Sequence, residues 1–167
     1  VLFHEAAQGE VCQAANDNAP GQVVVSGHVA AVERAIEIAK ARGARRAMLL
    51  PVSAPFHCAL MQPAADRMEE ALADIAMNDP AVPLIANVTA GPVTSADDIR
   101  KLLVQQVTGM VRWRESVLAM GGLGVTNLAE IGSGKVLTGM VRRINKEISA
   151  TAVNGPDDVQ GFLESLG

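Results

Sequence analysis

Apolar and polar positions along this chain repeat in blocks whose period switches between two and 3.6 residues, the spacings that put side chains on one face of a strand or a helix. The β-branched stretch 22–26 reads as a strand, and the turn-rich Asn16-Asp17-Asn18-Ala19-Pro20-Gly21 ahead of it predicts a hairpin with an earlier strand over 11–15. Residues 28–42 predict a helix with Val29, Val32, Ile36 and Ala39 on its inner face and Gly43 as its stop. The apolar run 47–52 has strand length. A helix over 63–77 turns Ala65, Met68, Leu72 and Ile75 inward, and 82–88 reads as a buried strand. Ser95 is placed to cap a helix, with Asp97 and Asp98 at the positive end of its dipole and Ile99, Leu102 and Leu103 facing inward. A helix over 114–120, a strand over 127–131, a helix over 135–145, a strand over 150–153 and a helix from Asp157 complete the series. Such alternation predicts an α/β fold with parallel strands. No repeat or long linker interrupts it, and the expected seam lies near 53–55.

Composition narrows the functional classes. At 167 residues, 49% of them hydrophobic, the chain suffices for one domain or two small subdomains sharing an interface. A net charge of −4 and a pI near 5.3 argue against nucleic acid as partner, and 2% aromatic residues with no tyrosine leave no platform for stacking bases. The two cysteines, Cys12 and Cys58, have no metal-type spacing, so neither a metal site nor a disulfide framework is expected, and a reducing compartment is. No stretch approaches the roughly 20 uncharged apolar residues of a membrane helix, and the first residues lack a signal-peptide pattern. The expectation is a soluble, cytoplasmic protein with no membrane partner.

The most informative chemistry lies in Leu49-Leu50-Pro51-Val52-Ser53-Ala54-Pro55-Phe56-His57-Cys58-Ala59-Leu60-Met61. Pro55 ends a ladder by removing an N–H, and helical spacing resumes after His57, which places this histidine at a strand-to-helix junction. A histidine there can accept and return a proton near neutrality. A capping or packing histidine fits the same position. Gln106 falls at the C-terminal end of the helix begun at Ser95, where carbonyls lack intrahelical partners; a packed or solvated glutamine is the alternative.

Three blocks then carry a resemblance. The segment Asn16 to Val24, the segment Pro51 to Met61, and Ile131-Gly132-Ser133-Gly134-Lys135-Val136-Leu137-Thr138-Gly139 resemble, in order and spacing, the malonyl-CoA:acyl-carrier-protein transacylases, over about the C-terminal half of that family. The resemblance implies transfer of a malonyl group from coenzyme A to the phosphopantetheine thiol of acyl carrier protein in fatty acid or polyketide synthesis, by a ping-pong mechanism with a serine nucleophile and a histidine base. It implies no cofactor beyond the phosphopantetheine that the partner carries. The implied fold is the C-terminal part of an α/β-hydrolase-like core (54–167) with the later part of an inserted ferredoxin-like subdomain (1–53). By match, His57 is the base and the Gln106 main-chain carbonyl holds its other ring nitrogen. Phe56 resembles the variant that goes with malonyl selectivity, and Asn18, with Asn16, falls in the segment that overhangs the active site, although a turn explains both asparagines as well. Arg45, Arg46, Arg142 and Arg143 match basic residues that dock the acidic carrier protein; solvated helix and loop faces explain such pairs too.

The departure from the family is as informative. No G-x-S-x-G occurs in these residues, and the segments that supply the oxyanion hole and the carboxylate-pairing arginine are missing too. The expectation is therefore a partial transacylase, inactive alone, with a non-catalytic carrier-binding or scaffolding module as the alternative. Other motifs fail on inspection: a P-loop needs glycine at Ala129 and Ser or Thr at Val136, and a dinucleotide fingerprint needs glycine at Asn127. Cys58 is a weak substitute nucleophile, since adjacent side chains diverge. His4 and His28 have no partners at ligand spacing and read as surface or cap residues.

Overall fold

The structure, a computed structural model, describes residues 2–165. Val1, Leu166 and Gly167, at the ends of the two expected subdomains, lie outside the described residues. The chain opens with helix α1 (Leu2–Ala7) and a hairpin of β1 (Cys12–Ala19) and β2 (Gln22–Gly27), paired antiparallel around Pro20-Gly21. Gly21 takes φ +74°, a left-handed conformation that glycine adopts without steric cost. Helix α2 (Val29–Ala41) packs on α1 through Ala6, Ala31 and Ala35, small side chains that let the backbones approach, with Cys12 of β1 in the same cluster. Arg34 fastens this corner: its Nε donates to the Ala6 carbonyl at 2.8 Å and its Nη2 to the Ala7 carbonyl at 3.1 Å. Those carbonyls end α1 and have no helical partner of their own.

After the His57 loop and a 3-10 turn (Ala59–Met61), helix α3 (Gln62–Ala73) packs against α4 (Ala96–Thr108), the two separated by a short hairpin of β3 (Leu84–Ala86) and β4 (Gly91–Val93). Ser95 caps α4 by accepting from the Asp98 N–H at 3.4 Å. Helix α5 (Trp113–Gly122), strand β5 (Asn127–Ile131), helix α6 (Val136–Ile144), strand β6 (Ser149–Val153) and helix α7 (Pro156–Glu164) follow. β5 and β6 pair in parallel around the crossover helix α6, and Val117, Val141, Ile148 and Ala150 form the core beneath them.

Several sequence expectations need correction. Residues 47–52 form no strand: among the described residues nothing pairs with them, and Met48, Leu49, Leu50 and Val52 stay about half exposed. An apolar run becomes a strand only beside a hydrogen-bonding neighbour. The buried strand expected over 82–88 shrinks to Leu84–Ala86 in an antiparallel hairpin, with Val82 exposed. The turn-rich segment 16–19 stays extended inside β1, because bulges between Ala14 and Asn16 and between Asp17 and Ala19 absorb its irregularity. The buried face of α2 is Ala31 and Ala35, and Val29 is exposed, because close contact with α1 selects small residues. Met68, Ile75 and Leu103 are also exposed. Only β5 and β6, among three strand pairs of the described residues, are parallel. The mixed α/β class stands.

Candidate active site

His57 occupies a left-handed backbone conformation, φ +58°, which costs a non-glycine residue free energy and persists only where neighbouring contacts hold it. Three contacts do so. The Cys58 thiol, on a completely buried residue, donates to the Pro55 carbonyl at 3.1 Å; the Met61 N–H closes the following turn on the Cys58 carbonyl at 3.0 Å; and the Ala59 N–H donates to Gln13 Oε1 of β1 at 2.7 Å. Cys58 therefore serves the loop from inside and is not presented to solvent as a nucleophile.

The half-buried imidazole of His57 places Nδ1 3.1 Å from the main-chain carbonyl oxygen of Gln106. A carbonyl only accepts, so Nδ1 carries the proton and Nε2 keeps its lone pair, the tautomer a general base needs. Gln106 offers this carbonyl from the last turn of α4, where the helix has no donor left for it. Its side chain is tied down on both ends: Nε2 donates to the Gly109 carbonyl at 3.0 Å, and Oε1 accepts from Asn87 Nδ2 at 3.1 Å. Gly109 makes the turn possible, since a Cβ there would lie 2.7 Å from Val88 Cγ2 and 2.8 Å from the Gln105 carbonyl oxygen.

The remaining predicted residues distribute around this pair. Phe56, adjacent to the histidine, is exposed, and Asn18 is half-buried on β1. Arg45 and Arg46 lie on the exposed coil after α2, where Arg46 Nε donates to Met48 Sδ at 3.1 Å. On α6, Arg142 is exposed beside Lys146, whereas Arg143 Nη1 donates to Gln22 Oε1 at 2.7 Å and its Nη2 to the Pro20 carbonyl at 3.4 Å, tying α6 to the hairpin turn. Among the described residues no hydrogen bond joins one arginine pair to the other. His4 is exposed, and His28 is the N-cap residue of α2, its Nδ1 accepting from the Val11 N–H at 3.0 Å.

In the Gly132-Ser133-Gly134-Lys135 loop the Gly132 N–H donates to the Val153 carbonyl at 3.0 Å and the Gly134 N–H to Asn154 Oδ1 at 2.8 Å. The Glu130 carboxylate at the end of β5 accepts the Thr138 N–H and hydroxyl, both at 2.7 Å, and the Leu137 N–H at 3.0 Å; these bonds, the Thr138 N–H first, hold its carboxyl below the usual carboxylate range. The free donors at the start of α6 are thus taken by protein rather than left for a phosphate. Among the described residues no group of three His, Cys, Asp or Glu side chains is arranged to hold a metal ion.

Sequence reasoning did not single out Gln13, Asn87 or Arg114. None sits in a recognisable motif, and their roles arise from contacts 46, 19 and 97 positions away.

Residues 5–162 match the acyl transferase domain family. The chain is 49% identical over 160 residues to the malonyl CoA-acyl carrier protein transacylase of Escherichia coli (strain K12), covering 96% of this chain and 52% of that protein. The crystal structure of acyl-carrier-protein-S-malonyltransferase from Bartonella henselae superposes with a TM-score of 0.95 at 53% identity, covering 99% of this chain and 53% of that one. A chain in the structure of a type II PKS acyl-carrier protein in complex with its malonyl-transacylase matches with a TM-score of 0.94 at 45% identity, covering 98% of this chain and 53% of that one. The chain therefore spans about half the length of the relatives it matches. With the family match running through both the His57 loop and the Gln106 helix, the chain belongs to the acyl transferase domain family.

Proposed function

We propose that this chain is the base-bearing half of a malonyl-CoA:acyl-carrier-protein transacylase of fatty acid synthesis. The observation that carries the reading is the His57 Nδ1 to Gln106 carbonyl contact, which leaves Nε2 free as a base. In the complete enzyme Nε2 takes the proton of a serine hydroxyl as that oxygen attacks the thioester of malonyl-CoA, and the proton passes on to the departing coenzyme A thiolate. In the second half-reaction Nε2 takes the proton of the phosphopantetheine thiol of acyl carrier protein, and the serine oxygen leaves with it. The Gln106 carbonyl does the orienting work of the aspartate in a Ser-His-Asp triad without bringing a second charge.

The serine belongs to polypeptide outside these 167 residues, which contain no G-x-S-x-G. Residues 54–167 would then be the C-terminal part of an α/β-hydrolase-like core, and 1–53 the later part of a ferredoxin-like subdomain whose β1 carries Asn18 over the acyl site. Phe56 narrows that site against branched acyl chains. Arg45, Arg46 and Arg142 offer positive charge to an acidic carrier, and no further cofactor is required. No helix among the described residues is long and apolar enough to cross a membrane. A free-standing scaffolding module is the weaker reading, because Met48, Leu49, Leu50 and Val52 remain half exposed and an uncovered apolar run favours association.

The test is intact-mass analysis after incubation with malonyl-CoA. The 167-residue chain should take no malonyl adduct, and the complete enzyme should take one. His57→Ala in the complete enzyme should slow labelling by about 10²–10⁴-fold. An adduct on the chain alone, or unchanged labelling by His57→Ala, would overturn the proposal.

A further inference from the structure

The contact between His57 and the Gln106 carbonyl joins the His57 loop to the last turn of α4, 49 positions apart, and a single strand, β1, grips both sides. On one side, Gln13 Oε1 accepts the Ala59 N–H at 2.7 Å, two residues past the left-handed His57. On the other, the Ala15 carbonyl accepts the Val111 N–H and the Val111 carbonyl accepts the Asp17 N–H, both at 2.8 Å. Val111 lies two residues beyond Gly109, whose carbonyl anchors the Gln106 side chain. The same side is locked by the Asp17 carboxylate, which accepts three hydrogen bonds from Arg114, from Nε at 3.0 and 2.9 Å and from Nη2 at 2.7 Å. The bulges between Ala14 and Asn16 and between Asp17 and Ala19 bracket these contacts, and bulges re-aim side chains and free backbone groups from a ladder.

We propose that β1 is a splint for the base, with Gln13 and Asp17 as positioning residues that hold His57 Nδ1 on the Gln106 carbonyl. The inference rests on the reading of His57 as base. Gln13 meets a donor at the start of a 3-10 turn that has no partner within the turn, and so holds the strained residue before it in place. Asp17 fixes the chain leaving α4, so that the Gln106 carbonyl cannot swing away from the ring. Neither side chain needs to touch substrate. Loss of either should let the ring sample its other tautomer, which presents Nδ1 unprotonated and Nε2 occupied.

The experiment uses the complete enzyme carrying this chain, labelled with 15N-histidine. The His57 ring nitrogens should show Nδ1 protonated and Nε2 bare. Gln13→Ala and Asp17→Asn should average the two nitrogens toward a tautomer mixture and lower kcat about tenfold with KM for malonyl-CoA unchanged. Gln13→Glu, which keeps an acceptor oxygen, should restore both ring signals and kcat. Wild-type ring signals in Gln13→Ala and Asp17→Asn, or a Gln13→Glu as slow as Gln13→Ala, would overturn the splint. A fully active His57→Ala would instead remove the base reading beneath it.

Discussion

Asp17 and Arg114, 97 positions apart, meet in a two-pronged ion pair whose Nη2 to Oδ2 distance is 2.7 Å, with the Asp17 side chain only 15% exposed. Forked guanidinium–carboxylate geometry fixes direction as well as distance. A double-mutant cycle of Asp17→Asn and Arg114→Gln, read by chemical denaturation, should therefore give a larger coupling than the same cycle on the exposed Arg67–Glu70 pair. Equal couplings would mean that the Asp17–Arg114 pair holds the hairpin no better than an exposed pair would.

Glu130 sets an acid limit. Its carboxyl is held below its ordinary range by the bonds from Thr138 and Leu137, so the folded form binds a proton less readily than the unfolded chain. The sign follows: its contribution is fully present above the unfolded value, about pH 4.3, and is lost as pH falls through the lower folded value. Glu130→Gln should destabilise the protein at neutral pH and flatten the dependence of stability on pH below about 5. A variant whose acid unfolding curve runs parallel to wild type would contradict this account.

Burial separates two valines near α6. Val117 is fully buried against Val141, Ile148 and Ala150, whereas Val136 is 70% exposed. Val117→Ala removes two buried methyl groups' worth of packing and should cost roughly 2–3 kcal/mol by urea titration, transfer and cavity together. Val136→Ala should stay within about 0.5 kcal/mol.

The two arginines of α6 should part company. Arg143 is committed to Gln22 and the Pro20 carbonyl, while Arg142 has no hydrogen-bond or ion-pair partner among the described residues. Arg142→Glu in the complete enzyme should lower turnover with acyl carrier protein, chiefly through encounter rate and more so at low salt, and leave melting unchanged. Arg143→Glu should lower the melting temperature as well. If Arg142→Glu slows small thiol acceptors equally, docking is not its role.

The sequence by itself determined the hairpin, six of the seven helices among the described residues, and the strands β5 and β6, because each is specified by local chemistry: β-branched runs, Ser95 at the start of α4 and Gly43 after α2, an apolar stretch over 127–131. It also singled out His57 and Gln106, through a proline-punctuated junction and a helix end joined to a family resemblance. What it left open were properties of neighbours. The run 47–52 is apolar and of strand length but has no strand beside it, so it joins no ladder. The inner face of α2 was decided by how closely α1 approaches, which favoured Ala31 and Ala35 over the larger Val29. The resemblance, and no pattern in the chain, implied the contact of the His57 ring with the Gln106 carbonyl, and only the tertiary structure set Gln13, Asn87 and Arg114 around it, since a hydrogen bond across 19 to 97 positions depends on where the folded chain returns and leaves no periodicity to read.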